Sequence, residues 1–438
     1  MTKILSDNQK LALDKFITGD NIFITGPGGS GKTFLIQKFV EKCQKNLLNV
    51  QVCALTGCAA VLLECKAKTI HSWGGIGLAN GEPNDIIKRV CKSKYKCGLW
   101  KNIDVLIIDE VSMMSKKIFN ILNKLAQVIR KNKQPFGGIQ LVFSGDFYQL
   151  PPVGNKNEPE TCQFCFESID WCKTFPINIQ LTKIFRQNDS KYVKVLNQLR
   201  VGIIKKSSYN LLCSRLNKTC EDEIQPTILL PLKKKVNYIN AYQLNKIEAE
   251  EKVFQYENYI DREIMKKSKS DLFINQEIIN HEFTYIKNSI MADQKLKLKK
   301  GALVMCVANI DMLGTKQIVN GSQGIIIDFD KNNYPIVRFR NGIIKTMSYH
   351  KWMSEKIPFI GIKQIPLILS WAITIHKAQG VTLDKAQIDA GRNIFECGQT
   401  YVALSRIKNI NGLYLTAFNP GKIKVNTKVK LFYEKLIA

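Results

Sequence analysis

Residues 26–33 read Gly-Pro-Gly-Gly-Ser-Gly-Lys-Thr, the types and spacing that fold a backbone loop around phosphate groups. Asn21–Thr25 ahead of it is short, apolar and β-branched, which predicts a buried strand, and Phe34–Val40 behind it is apolar at helical spacing. In that setting the stretch Gly26, Pro27, Gly28, Gly29, Ser30 and Gly31 would wrap the phosphates of a nucleotide such as ATP. The N-terminus of the following helix adds partial positive charge. Lys32 would reach the β- and γ-phosphates, and the Thr33 hydroxyl would hold Mg²⁺. Farther on, the apolar run Asp104–Ile108 ends in Asp109 and Glu110. Asp109 would share the Mg²⁺, and Glu110 would orient and deprotonate an attacking water.

Three more residues have types suited to this chemistry. Gln149 follows a predicted strand ending near Ser144, where a side-chain amide can register whether a γ-phosphate is present. Arg186, in Leu181–Gln187, and Arg406, closing Gln399–Arg406, could each direct a guanidinium at transition-state charge. An arginine taken singly is far more readily read as the partner of a surface carboxylate.

These groups need elements to hold them. Strands are expected at 21–25, 50–55, 104–108 and 139–144, with helices at 32–44, about 59–66 and 115–131. This is the alternation of a parallel α/β sheet. A Gly-rich and then basic stretch at 74–98 predicts a small insertion. A second α/β block is expected over 176–244 and 366–438, with strands at 177–181, 227–232, 385–390 and 412–416. The segment 245–365 interrupts it. Residues 252–300 are charged, and about 300–350 reads as short strands with a hairpin at Asn341-Gly342. The first block is expected to span 1–175.

The 438 residues carry 64 Lys+Arg against 37 Asp+Glu, a net charge of +27, which favours a polyanionic partner. The 13 cysteines sit mostly alone in apolar segments, which fits reduced thiols in an intracellular, soluble protein. No run of 18 apolar residues suggests a membrane span.

The combination resembles the Pif1-like branch of superfamily 1B DNA helicases, with the RecD type as a relative. The residues carrying the likeness run from Leu5–Gln9 through Thr56–Ala60, Thr69–Ser72, Gly145–Pro152 and Ala372–Asp384 to Tyr401–Arg406. Lys299–Met305 with Val319–Gly321 resembles that family's inserted SH3-like domain. The resemblance implies two RecA-like parallel-sheet domains, a small 1B insertion and an inserted 2B domain. It also implies ATP and Mg²⁺ as cofactors and 5′-to-3′ translocation on single-stranded DNA with duplex unwinding. Such motors serve DNA replication, repair, recombination or telomere maintenance. Gln9 would read adenine, and Gly380 would belong to the ATP site. Thr56, Gly57, Thr69 and His71 would contact the strand, with Thr374, His376 and Lys377 on its phosphates. Phe147, Trp73 and Trp371 could stack on bases. The expected partners are single-stranded DNA and single-strand/duplex junctions, met by a monomer without a membrane. A RecD-type translocase, an RNA-directed motor and a protein-remodelling P-loop ATPase remain open as alternatives.

Overall fold

The computed structural model describes residues 5–63, 65–268, 276–310, 318–354, 357 and 359–437. Residue 64 of the helix expected at about 59–66, and parts of the segment 245–365, lie outside the described residues. By their contacts the residues form two units. The first comprises 5–211, 394–405 and 419–437, and the second 212–393 and 406–418.

In the first unit the strands are β1 (Ile22–Thr25), β2 (Val50–Ala54), β3 (Lys68–Thr69), β4 (Val105–Asp109), β5 (Gln140–Ser144) and β6 (Ile177–Gln180). They form one parallel sheet in the order β3-β2-β4-β5-β1-β6. Side chains alternate between faces. Phe23, Leu106, Ile108, Leu141 and Phe143 enter one core, and Ile22, Ile24, Val105, Ile107 and Val142 enter the other. Both faces are covered, which is why these strands read as unbroken apolar runs. The insertion expected at 74–98 is two helices, Pro83–Cys91 and Lys94–Asn102, and their Ile86, Val90 and Trp100 share the first of those cores.

The helix Lys116–Arg130 ends beside a turn in which Phe136, Gly137 and Gly138 all have positive φ. Asn123 Oδ1 accepts the Phe136 N–H at 2.8 Å. Arg130 clamps the surroundings: Nε donates to Gly137 O, and Nη1 to the carbonyls of Trp100, Lys101 and Ile103, at 2.8–3.1 Å. One guanidinium thus pins both the insertion and the turn leading into β5.

Two expectations are corrected. The strand expected at 177–181 in the second block pairs in parallel with β1, Ile22 opposite Ile177, and so extends the first sheet. The C-terminal part of the block expected over 366–438 also divides. The helix Thr427–Ile437 packs Val429, Phe432 and Tyr433 into the first unit's core. Parallel pairing and helix docking are long-range choices that local apolar pattern does not encode.

The second unit has a parallel sheet of β7 (Thr227–Leu230), Ala372–Thr374, Ala386–Ala390 and Leu413–Phe418. Between β7 and Ala372 the chain builds antiparallel sheets. The largest contains Leu303–Cys306, Gln323–Phe329, Pro335–Phe339, Ile344–Thr346 and Leu367–Leu369. The hairpin expected at Asn341-Gly342 is present, with Gly342 at φ 85° and Phe339 N–H bonded to Ile343 O. No described helix is long and apolar enough to cross a membrane.

Replacing Arg130 with alanine removes four charge-assisted bonds. It should lower unfolding stability by at least about 2 kcal/mol in chemical denaturation; a change under about 0.5 kcal/mol would contradict the clamp.

Candidate active site

The loop 26–33 lies between β1 and the helix Lys32–Lys45, as its residues require. Gly29 and Gly31 have φ 83° and 86°, left-handed values that a side chain rarely tolerates. The space around them is also filled. A Cβ on Gly29 would lie 2.5 Å from Arg186 Cβ, and one on Gly31 would lie 2.6 Å from Gln9 Nε2 and 3.5 Å from the Phe185 ring. Phe185 N–H bonds to Gly29 O at 2.8 Å. Gln9 and Arg186 therefore lie against the loop. Gln9 is buried, its Oε1 capping Ser6 N–H at 3.0 Å and its Nε2 directed at Ser30 O at 3.5 Å.

Lys32 is half-buried as a residue, but its ammonium turns inward and donates to Gly26 O at 2.7 Å and Pro27 O at 3.2 Å. Burial lowers its pKa, opposed by the charges of Asp146, Glu110 and Asp109. An ammonium held on loop carbonyls among carboxylates is ready to be claimed by a phosphate. Thr33, one residue into the helix, is exposed.

Asp109 ends β4 and is buried. Burial and the neighbouring Glu110 charge raise its pKa to about 6, against the pull of Lys32. Glu110 takes φ 55°, a left-handed conformation at a non-glycine residue, and such strain concentrates at working sites. Ser30 Oγ, Asp109 Oδ1 and Gln149 Oε1 are buried without a hydrogen-bond partner among the described residues. Buried polar atoms are normally satisfied, and Ser30 in the loop and Asp109 near Lys32 each keep an oxygen without a partner among the described residues, as a ligand site would. The hard oxygen donors suit Mg²⁺ with a nucleotide.

Arg186 is half-buried and donates from Nη1 to Ser405 O at 3.2 Å. Arg406 belongs to the second unit, where it is buried and its carbonyl accepts the Leu383 N–H at 2.9 Å. Gly380 also lies in the second unit, at φ 81°.

The residues expected to meet a strand fall into two groups. In the first unit, Thr56 and Thr69 stand at the C-terminal ends of β2 and β3. Their hydroxyls accept the N–H groups of Ala59 and Ser72 at 3.2 and 3.3 Å. Gly57 and His71 are half-buried, and burial lowers the His71 pKa, so its imidazole is neutral at pH 7. In the second unit, Thr374 ends its strand and accepts the Lys377 N–H at 3.1 Å, with His376 and Lys377 half-buried beside it. Phe147 is a correction. It is 2% exposed, packed edge-on against Phe164, Phe166, Trp171 and Phe432, and presents no face to a base. Trp73 is equally buried, 4.6 Å from Trp100, and Trp371 is half-buried against the antiparallel sheet's core. Aromatic type at a strand tip does not distinguish a stacking platform from a core plug.

Sequence reading gave no role to Asp146, Arg200, Tyr401 or Tyr433, which form a buried network behind the loop. Asp146 and Tyr401 fall in Gly145–Pro152 and Tyr401–Arg406, but their pairing with each other and with Arg200 and Tyr433, far along the chain, leaves no local signature.

A family model described as PIF1-like helicase matches residues 4–208, and one for the 2B domain of DNA helicase Pif1 matches residues 283–329. The crystal structure of Pif1 helicase from Candida albicans is 34% identical, with a TM-score of 0.77, covering 99% of this chain and 100% of that one. The chain belongs to the Pif1-like helicase family. Among its relatives in that family, the ATP-dependent DNA helicase PIF1 of Danio rerio is 34% identical over 99% of this chain and 64% of its own length. This Pif1-like chain thus spans 64% of that relative. The Pif1 helicase from Bacteroides, in complex with ADP-AlF3 and ssDNA, is 29% identical with a TM-score of 0.67, covering 99% of this chain and 97% of that one. Within this Pif1-like chain, Gln9, the phosphate loop, Asp109, Glu110, Gln149 and Arg186 all lie inside residues 4–208, and Arg406 lies outside both matched segments.

Asp109 binds its proton more tightly when folded, about 6 against 3.8, so ionising it costs stability. That cost grows as pH rises through this window and is fully present above it. Without nucleotide or metal, Asp109→Asn should raise the thermal midpoint at pH 7–8, by up to about 3 kcal/mol of stability. The difference should shrink as pH falls through this window and vanish below about pH 3. A midpoint lowered at pH 8 would contradict the assignment.

Proposed function

We propose that the chain is an ATP-driven motor that moves 5′ to 3′ along single-stranded DNA and unwinds duplex at single-strand/duplex junctions. What supports this reading most is the Gly-rich loop whose Lys32 is held on the Gly26 and Pro27 carbonyls in the field of Asp109 and Glu110, in a Pif1-like chain. The net charge of +27 and the ssDNA held by the Bacteroides relative support a nucleic-acid track.

The residues have these roles in the proposal. Loop N–H groups and Lys32 bind the phosphates, and Gln9 reads the base edge. Magnesium, when bound, would neutralise charge on the phosphate oxygens, with Thr33 and Asp109 as its protein ligands. Glu110 orients the attacking water and takes its proton, Gln149 senses the γ-phosphate, and Arg186 and Arg406 stabilise transition-state charge. Thr56, Gly57, Thr69 and His71 on one unit, and Thr374, His376 and Lys377 on the other, contact the strand backbone. A single chain suffices as the motor.

A strand-displacement assay on duplexes with a 5′ or 3′ single-stranded tail, in DNA and RNA, tests activity, polarity and substrate together. Unwinding is expected only from the 5′-tailed DNA; displacement of the 3′-tailed duplex alone would reverse the assigned polarity. Lys32→Ala should cut ATP hydrolysis by at least about a hundredfold. Arg406→Ala should retain strand binding within about threefold while stopping unwinding. Retained unwinding in either variant overturns the role given to that residue.

A further inference from the structure

Asp146 is completely buried, and Arg200 nearly so. Arg200 Nε donates to Asp146 Oδ1 and Oδ2 at 3.2 and 3.0 Å, and Nη2 donates to Oδ1 at 2.8 Å. Its guanidinium lies 4.6 Å from the Tyr148 ring centre and 5.2 Å from that of Tyr433. Those two rings stack at 4.5 Å and 12°. Burial alone would make Arg200 easier to deprotonate, but Asp146 more than offsets this and keeps it charged. A buried ion pair is a poor source of net stability because desolvation consumes most of the attraction. Its use is better sought in what it holds.

It holds two phenols. Tyr401 and Tyr433 donate their hydroxyls to Asp146 Oδ2 and Oδ1, each at 3.4 Å. On their other side both phenols meet the nucleotide loop and its neighbour. Tyr401 Oη accepts the Gly28 N–H at 2.9 Å. Tyr433 Oη accepts the Phe147 N–H at 3.1 Å and shares a 2.5 Å bond with Thr25 Oγ1. One hydroxyl proton and two lone pairs per phenol account for every bond if Thr25 donates to Tyr433. Burial, then the Asp146 charge, drives the Tyr433 pKa far above the ordinary range, so it stays a hydroxyl. Thr25 is the last residue of β1 and Gly28 the third residue of the loop, so the network grips the loop at its root and at its crest.

We propose that Tyr401 and Tyr433 are positioning residues for the phosphate-binding loop, fixed by the buried Asp146–Arg200 pair. The C-terminal helix Thr427–Ile437, through Tyr433, is then an integral part of the nucleotide site. This rests on the reading of the loop as a nucleotide site. Neither tyrosine lies in the segments matched by the family models.

Tyr401→Phe and Tyr433→Phe keep the rings and remove only the hydroxyls. Each should raise the Kd for a fluorescent ATP analogue and the KM for ATP about three- to tenfold, the worth of one or two neutral hydrogen bonds. Meanwhile kcat should stay within about twofold. Amide exchange at Gly28 should quicken in Tyr401→Phe even where the thermal midpoint is unchanged. Unchanged Kd and Gly28 exchange in both variants, or a loss confined to kcat, overturns the proposal. A wild-type chain that binds no nucleotide overturns the loop reading along with it.

Discussion

A phosphate loop must keep glycines in left-handed backbone while standing on the end of a buried strand. Most of the first unit is explained by that one constraint. Gly29 and Gly31 leave no room for a methyl group because Arg186 and Gln9 already fill it. Lys32 turns its ammonium onto the loop's own carbonyls, and Asp109 is buried with a raised pKa. Burying such charges costs folding free energy. The sheet must therefore be apolar on both faces, and Phe23, Ile24, Ile107 and Phe143 make it so. Strain at Glu110, and oxygens at Asp109 and Gln149 without partners among the described residues, are tolerable only in a well-packed frame.

How much of this could be read from the residues alone depended on distance along the chain. The loop is eight consecutive residues, and the strand before it and helix after it follow from local apolar period. Asp109 and Glu110 were legible for the same reason, as carboxylates closing an apolar run. Ile177–Gln180 was assigned to the wrong sheet because a parallel strand does not name its neighbour, and β1 lies more than 150 residues earlier. Phe147 was read as a base-stacking face, whereas the cluster that buries it comes from Phe164, Phe166, Trp171 and Phe432. The Asp146 network was illegible: its partners lie 54, 255 and 287 residues away.

The second unit shows the same economy in its own topology. After β7 the chain leaves the parallel sheet, builds antiparallel strands, and returns through Leu367–Leu369 directly into Ala372–Thr374. Asn240 fastens that return, its amide exchanging two 2.9 Å bonds with the Ala372 backbone. The strand so fixed delivers Thr374, His376 and Lys377 to one edge, where Asp293 faces Lys377 and Lys233.

In the proposed motor, ATP hydrolysis at the phosphate site is coupled to movement along a strand. The most direct test is the steady-state rate of ATP hydrolysis by the full chain, with and without single-stranded DNA at physiological salt. Stimulation of at least about tenfold is expected, a change in barrier of about 1.4 kcal/mol. A rate unchanged by saturating single-stranded DNA would contradict it.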